Sequence, residues 1–303
     1  MIQSPLNYTG GKYRLLPQLL PLFPNRVGVL LDIFCGGGNV GANVNCERIW
    51  FNDINHDVIQ LLKLFANSDP QKLITSIERI ICKFGLSDVS KYGYEYYGCS
   101  SSEGLAKYNE SHFNELRSYT NSFEKKSKLY YIHLYVLIVY AFNNQIRFNS
   151  SHAFNLPVGK RDFNQKMREK LALFCESVGK AESIFSSKDF RKIDISGLTE
   201  NDFVYADPPY LITCATYNEQ GGWTEKDERD LLRFLDSLHQ QNVKFALSNV
   251  LTNKGKSNGI LIEWLEQNPQ YNCTHLNYDY ANSNYHKTDS TQKSDEVLIR
   301  NYM

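Results

Sequence analysis

Val27-Gly28-Val29-Leu30-Leu31-Asp32-Ile33-Phe34, running into Cys35-Gly36-Gly37-Gly38, is the stretch from which the architecture of this chain can be read. A short, nearly continuous apolar run bounded by turn residues predicts a strand covered on both faces, as in a parallel sheet. The glycines predict a tight loop, and a helix is expected over Asn39 to Cys46. A second strand is expected from Arg48 to Asn52, ending at Asp53. Beyond it, Val58, Leu61, Leu62 and Phe65 fall on one face of a helix. The order strand, glycine loop, helix, strand, acid resembles doubly wound α/β folds, whose ligands sit at the carboxyl ends of the strands.

A run of glycines is by itself only a tight connection or a place where a ligand approaches the backbone. Asp53 adds chemistry to it. A carboxylate at the end of the second strand can accept two hydrogen bonds from ribose hydroxyls, so the pair points to an adenosine-bearing ligand. No G-x-G-x-x-G is present, which argues against a dinucleotide, and no G-K-[ST] follows the first strand, which argues against a P-loop. Gly10-Gly11-Lys12 precedes any strong strand and is not read as a phosphate loop.

Asp207-Pro208-Pro209-Tyr210 follows the apolar run Phe203-Val204-Tyr205-Ala206. Read blandly, it is a strand end and a proline turn. Read chemically, the Asp207 carboxylate and the Pro208 carbonyl can accept the two N–H bonds of an amine on a flat ring. The prolines stiffen the turn, and Tyr210 offers a stacking face. Acceptors that hold both hydrogens assist attack by a poorly nucleophilic exocyclic nitrogen, and a sulfonium methyl is the expected electrophile.

With 303 residues, 42% of them apolar and 13% aromatic, the chain can bury an α/β core and carry a second region. Its formal net charge is zero, so attraction for nucleic acid has to come from local asymmetry. Between Phe142 and Lys170, six basic residues (Arg147, Lys160, Arg161, Lys166, Arg168, Lys170) face two acids, Asp162 and Glu169. Cys35, Cys46, Cys82, Cys99, Cys175, Cys214 and Cys273 are odd in number and form no C-x-x-C pair. Free thiols in a reducing compartment are expected. No zinc-ligand spacing is found, so a metal-free protein is expected. The N-terminus lacks a basic region followed by an apolar core, and Leu129 to Phe142 is too short to span a bilayer. A cytoplasmic protein without membrane contact is expected.

The stretch between Gly38 and Asp207 is far longer than a βα repeat needs. Residues 66–186 are therefore assigned to an inserted domain, and 1–65 with 187–303 to the sheet domain. The insertion holds helical segments at Lys72 to Phe84 and Leu129 to Phe142. A polar and basic stretch, Ala141 to Asn164, follows and is read as a hairpin. Past Tyr210 the α/β rhythm returns. Thr224 and Asp227 form a capping-box pattern that opens a helix through His239, Val243 to Ser248 is a strand, and Ile260 to Glu266 is helical. Strands Tyr271 to Tyr278 and Glu296 to Tyr302 complete the sheet. His133 is read as a helix residue without a catalytic role, and Thr216 to Trp223 as a lid.

Taken in order, the motifs Asn7-Tyr8-Thr9-Gly10-Gly11-Lys12, Asp32-Ile33-Phe34-Cys35-Gly36-Gly37-Gly38, Asn52-Asp53-Ile54-Asn55, Arg147 to Lys160, Asp207-Pro208-Pro209-Tyr210 and Lys293-Ser294-Asp295-Glu296-Val297 resemble those of Dam-type DNA adenine methyltransferases, the alpha group of adenine-N(6) enzymes. The likeness runs nearly end to end. It implies a Rossmann-like S-adenosylmethionine-dependent methyltransferase sheet, with an inserted, mainly helical target-recognition domain that carries a β-hairpin. It assigns Tyr8, Gly10, Lys12, Asp32, Phe34, Gly36, Gly38, Asp53 and Asp207 to the cofactor, and Asp207, Pro208, Pro209 and Tyr210 to the target adenine. It implies DNA contacts by Asn7, Phe142, Asn143, Gln145, Arg147, Asn149, Asn155, Lys160 and Arg161. Phe142 lies near the place where family members insert an aromatic ring into the opened duplex; as the last residue of an apolar helix it has a core reading as well.

The GATC-specific members commonly carry lysine where this chain has Asn7 and leucine where it has Gln145, so GATC is not assumed, and a GATC-like target stays one of two alternatives. The hairpin is also similar to that of adenine methyltransferases accompanying type IIS restriction endonucleases, which makes an asymmetric target such as GGATG a candidate. The expected activity is site-specific methylation of adenine in double-stranded DNA by base flipping, within a restriction-modification system. A monomer is expected, and a cognate restriction endonuclease acting on the same site is a candidate partner without a required complex. Two other readings stand beside it: methylation of another planar amine, in RNA or on a protein glutamine, and a non-catalytic DNA-binding regulator with the same fold.

Overall fold

A strand of five apolar or small residues and one acid, flanked by other strands of the same kind, can be covered on both faces only inside a sheet. A computed structural model of the chain describes residues 1–213, 222–277 and 294–303. In it, β1 (Val27–Asp32) is followed by β2 (Cys46–Asn52), β3 (Glu182–Ser186), β4 (Phe203–Ala206), β5 (Lys244–Asn253), β6 (Lys256–Ser257), β7 (Asn272–Leu276) and β8 (Asp295–Arg300). They form one sheet in the order β3-β2-β1-β4-β5-β8-β7, with β6 paired to β5. β1 runs parallel to β2 and β4, and β4 to β5, whereas β8 is antiparallel to β5 and β7. The strand order reverses between β1 and β4, so their carboxyl ends flank a switch point, the usual ligand position in open α/β sheets.

The helices are α1 (Leu16–Leu19), α2 (His56–Ala66), α3 (Pro70–Lys83), α4 (Val89–Tyr92), α5 (Ala106–Asn121), α6 (Lys128–Tyr140), α7 (Gln165–Val178), α8 (Glu225–Gln240) and α9 (Gly259–Gln267). Two compact units divide these elements. One comprises Lys12–Cys35, Val44–Ile54 and Ile184–Met303; the other comprises Met1–Gly11, Gly36–Asn43 and Asn55–Ser183. The first carries most of the sheet, with Leu31, Val204, Phe245 and Leu247 packed with Leu231 and Leu235 of α8 and Trp264 of α9. α8 opens on the expected capping box: the Thr224 side chain accepts from the Asp227 N–H, and Asp227 accepts from the Thr224 N–H at 2.8 Å.

The second unit is helical. Its α6 is buried at every position from Tyr130 to Tyr140 and serves as the unit's core, as a helix apolar all round must. Val58, Leu61, Leu62 and Phe65 of α2 are buried as their spacing predicts. The Phe65 ring meets Tyr135 edge-on at 5.2 Å. α5, α7 and β3 have no counterpart in the sequence reading; the apolar positions of α5 are few and separated by polar residues, so their periodicity is weak. β3 lies within the span 66–186 and pairs into the sheet beside β2.

The helix expected over Asn39 to Cys46 does not form. That segment is a series of turns, with the Ala42 N–H bonded to the Gly38 carbonyl at 3.1 Å and the Asn43 N–H to the Val40 carbonyl at 2.9 Å. Gly37, Gly38 and Gly41 are poor helix formers, and the asparagines find better partners. Asn39 Oδ1 accepts from the Ser4 N–H at 2.9 Å, and Asn43 Oδ1 accepts from the Ile2 N–H at 2.7 Å. β1 stops at Asp32, before Ile33 and Phe34, and β7 stops at Leu276, with Tyr278 outside the described residues. Between Ala141 and Val158 the chain doubles back through two isolated antiparallel bridges, Ala141 with Val158 and Phe148 with Phe154.

Candidate active site

Three acids stand where the parallel strands end: Asp53 just past β2, Asp32 at the end of β1 and Asp207 just past β4. The loops there are fixed by Asn52, which the sequence reading left without a role. Its Nδ2 donates to the carbonyls of Ile33 at 3.0 Å and Lys188 at 2.9 Å, and its Oδ1 accepts from Ser186 Oγ at 2.7 Å. Phe34 is held by aromatic neighbours, Phe190 at 5.6 Å and Trp223 at 5.7 Å. Burial, with Asp53 and Asp32 adding to it, pushes the Cys35 thiol well above its ordinary range, so it stays protonated. Asp53 and Asp32 are themselves buried.

Around Asp207 the same unit gathers three side chains. Lys12 Nζ lies 2.8 Å from Asp207 Oδ1 and 3.7 Å from Glu296 Oε1, and 5.0 Å from the centre of the Tyr210 ring. The Tyr210 hydroxyl lies 3.0 Å from Asp207 Oδ1 and 3.2 Å from Glu296 Oε1. Burial raises the Asp207 pKa above the usual carboxylate range, while the Lys12 ammonium and the Tyr210 hydroxyl pull it down. Burial and the charges of Asp207 and Glu296 push the Tyr210 phenol well up, so it remains a donor. Pro208 is buried and Pro209 exposed. Beside them, the Tyr205 and Ser248 hydroxyls bond at 2.7 Å.

Glu296 belongs to the Lys293–Val297 motif, whose resemblance assigns it no function; Lys293 is outside the described residues. The available signal was an acid next to Val297-Leu298-Ile299 in a strand, where a buried carboxylate is rare unless it is paired. The expected lid, Thr216 to Trp223, lies outside the described residues except for Gly222 and Trp223.

The helical unit holds the other expected residues. Gly36 has φ of +47°, and a Cβ there would lie 2.7 Å from Cδ1 of Tyr8, so only glycine permits this approach of the ring. Gly10 and Gly38 also have positive φ, and the Gly11 N–H bonds to the Tyr8 carbonyl at 3.1 Å. Asn7 Nδ2 donates to the Asn143 carbonyl at 2.6 Å, which brings two expected DNA-contact residues together. Phe142 is 53% exposed, against its core reading, and is followed by Asn143 and Asn144 in the left-handed region. Arg147 Nε donates to Asn155 Oδ1 at 2.9 Å. Asn149 Oδ1 accepts from the Ser151 and Ala153 N–H groups, at 3.1 and 2.9 Å, and so is engaged within its own turn. Gln145 is half-buried, and Lys160 and Arg161 are exposed. His133 is buried, with Nδ1 2.9 Å from the Leu129 carbonyl, and burial lowers its pKa, in keeping with a scaffold role.

Among the described residues no group of three or more histidines, cysteines, aspartates or glutamates is placed to hold a metal ion, and no helix is long and apolar enough to cross a membrane. The six described cysteines are free thiols; Cys214 lies outside the described residues.

The model of the D12 class N6 adenine-specific DNA methyltransferase family matches residues 8–293, from the Tyr8 motif to the edge of the Glu296 strand. The chain belongs to this family. It is 39% identical to Type II methyltransferase M.FokI of Planomicrobium okeanokoites and 38% identical to modification methylase StsI of Streptococcus sanguinis, in each case over 99% of this chain and 43% of the relative. It is 29% identical to the DNA adenine methylase of Haemophilus influenzae, over 68% of this chain and 63% of that protein. The chain thus spans less than half the length of these first two relatives.

Proposed function

We propose that this D12-class chain transfers a methyl group from S-adenosylmethionine to the exocyclic amine of an adenine in double-stranded DNA, as the modification enzyme of a restriction-modification system. The observation that carries the reading is the half-buried Asp207, bonded to Lys12 and Tyr210 at the end of β4 beside the β1/β4 switch point. The residues fit such a donor: acids at three strand ends can accept from ribose hydroxyls and an ammonium, and the absence of a side chain at Gly36 lets the Tyr8 ring pack against the glycine loop. Tyr8, Gly10, Lys12, Asp32, Phe34, Gly36, Gly38, Asp53 and Asp207 would hold it. When bound, the donor supplies a sulfonium methyl, and the electron pair of the breaking C–S bond stays on sulfur as the N–C bond forms.

The chain's own part is to present the amine. Asp207 and the Pro208 carbonyl accept its two N–H bonds, Pro209 stiffens the turn and Tyr210 stacks on the base; one amine proton is then lost to solvent. Extruding the base costs a few kcal/mol, which stacking and these hydrogen bonds offset. In this reading 1–65 and 187–303 form the Rossmann-like catalytic domain and 66–186 the inserted recognition domain. Its doubled-back segment reads DNA through Asn7, Phe142, Asn143, Gln145, Arg147, Asn149, Asn155, Lys160 and Arg161, at an asymmetric site such as GGATG. The chain acts as a metal-free cytoplasmic monomer, beside a cognate endonuclease that it does not need to bind.

Asp207→Ala is expected to abolish transfer of tritiated methyl to duplex DNA while calorimetry still registers donor binding; sustained turnover by that variant would refute the assignment. Offering RNA and protein in parallel separates the substrate classes. Mapping modified adenines on treated plasmid DNA reads out the target.

A further inference from the structure

A single hydroxyl hydrogen cannot make a full-strength bond to two carboxylates at once, yet the Tyr210 hydroxyl lies within reach of both Asp207 and Glu296, at 3.0 and 3.2 Å. The Lys12 ammonium faces the same pair, at 2.8 and 3.7 Å. Both donors lie nearer Asp207 in this structure. Glu296 is only 1% exposed, on β8 between Val250 of β5 and Leu276 of β7. A buried carboxylate is expensive to desolvate, and a glutamine of the same shape could accept from a phenol at far lower cost. The charge at this position therefore points to a task beyond filling space.

We infer that Glu296 is a positioning residue, the alternative acceptor that takes Tyr210 and Lys12 when Asp207 turns to the amine of the target base. This inference rests on the methyltransferase reading above. With Glu296 in place, Asp207 can release its internal donors without leaving the phenol or the ammonium unpaired. The Tyr210 ring then stays anchored through the exchange. Among the described residues, the titratable groups that face the pair are Lys12, Tyr210 and Tyr205 of β4, which also feels Asp32. Tyr205 is bonded to Ser248, and Asp295, next to Glu296, pairs with His275 of β7 at 2.7 Å.

The test is the rate of tritiated methyl transfer to duplex DNA by this chain against pH, at saturating donor. In Glu296→Gln the competing acceptor is weakened, so Lys12 and Tyr210 remain on Asp207. The ionised form of Asp207 is favoured, and the acid limb of the profile moves down by about half a unit or more. Because Asp207 stays occupied, kcat falls by about tenfold or more while KM for the donor changes by no more than about threefold. Tyr210→Phe removes a donor to ionised Asp207 and moves the limb the opposite way, upward. In the double variant the two losses in kcat combine to less than their product, because both act through one hydroxyl.

An unmoved limb and unchanged kcat in Glu296→Gln, or losses that multiply in full, overturn the inference. If Glu296→Gln does not fold, Tyr210→Phe decides, and an unmoved limb there overturns it. The unsubstituted chain separates the two levels: transfer by it with unshifted variants sinks the Glu296 role alone, whereas no transfer to any substrate sinks the methyltransferase reading and this inference with it.

Discussion

Gly36 has the narrowest tolerance of any residue in the expected cofactor set, because its backbone and its neighbour both exclude a side chain. At φ of +47°, with the Tyr8 ring 2.7 Å from where a Cβ would stand, Gly36→Ala must distort the loop or displace the ring. The expected loss is about 1–3 kcal/mol of stability, read by denaturant midpoint, together with weaker donor binding by calorimetry. Adding Tyr8→Ala should restore most of the stability but not the affinity, since space returns while the ring stays lost; recovery of affinity would show that Tyr8 does not contact the donor. Residues of this kind are legible in sequence because their chemistry is local. Asp207 with its prolines, Asp53 after a strand and the glycine run each announce a constraint within a few positions. Glu296 and Asn52 do not, since each acts through partners far along the chain, Lys12 and Tyr210 for one and Lys188 for the other.

The elements divide along the same line. β1, β2, β4, β5, β7 and β8 and helices α2, α3, α6, α8 and α9 follow from apolar runs and period, because burial on one or two faces leaves a repeating mark. The expected helix after Gly38 fails because tertiary bonds from Asn39 and Asn43 to the extreme N-terminal residues Ser4 and Ile2 outweigh a weak local preference. α8 adds a polar core that its own period conceals. Glu228 is fully buried and accepts from Trp223 Nε1 at 2.6 Å, Asn249 Nδ2 at 3.0 Å and Asn258 Nδ2 at 2.8 Å, tying the start of α8 to β5 and to the cap of α9. Glu228→Ala would strand two buried donors and the half-buried Trp223 indole, and is expected to lower stability by about 3–5 kcal/mol in urea unfolding. Glu228→Gln keeps one acceptor and is expected to lose about half as much. Trp223, freed from Glu228, would also pack less firmly on Phe34, so donor affinity should fall in both variants. Equal stability of the alanine variant and the wild type would show the network to be dispensable.

For the molecule as a whole, a formal net charge of zero means that attraction to a polyanion has to be concentrated in particular side chains. The basic stretch Phe142 to Lys170 is where the sequence concentrates it, but its members are not equivalent in the fold. Arg168 is committed inside the helical unit, with Nε 3.0 Å from Glu78 and Nη2 2.8 Å from Asp88, and its side chain is only 11% exposed. Burial lowers the pKa of Lys170, with Arg161 adding to the effect. Lys160 and Arg161 are exposed. If Lys160 and Arg161 each neutralise a phosphate, replacing both by glutamine should flatten the plot of log affinity against log salt by about 1.8, at about 0.9 per contact. Arg168→Gln should leave that slope unchanged and instead lower the unfolding midpoint, because it strands two acids in a partly buried pocket. Anisotropy titrations of a labelled duplex between about 50 and 200 mM salt distinguish the two outcomes. A slope that changes with Arg168 and not with Lys160 and Arg161 would mean that the helical unit rearranges on DNA and that its internal ion pairs are exchanged for phosphates.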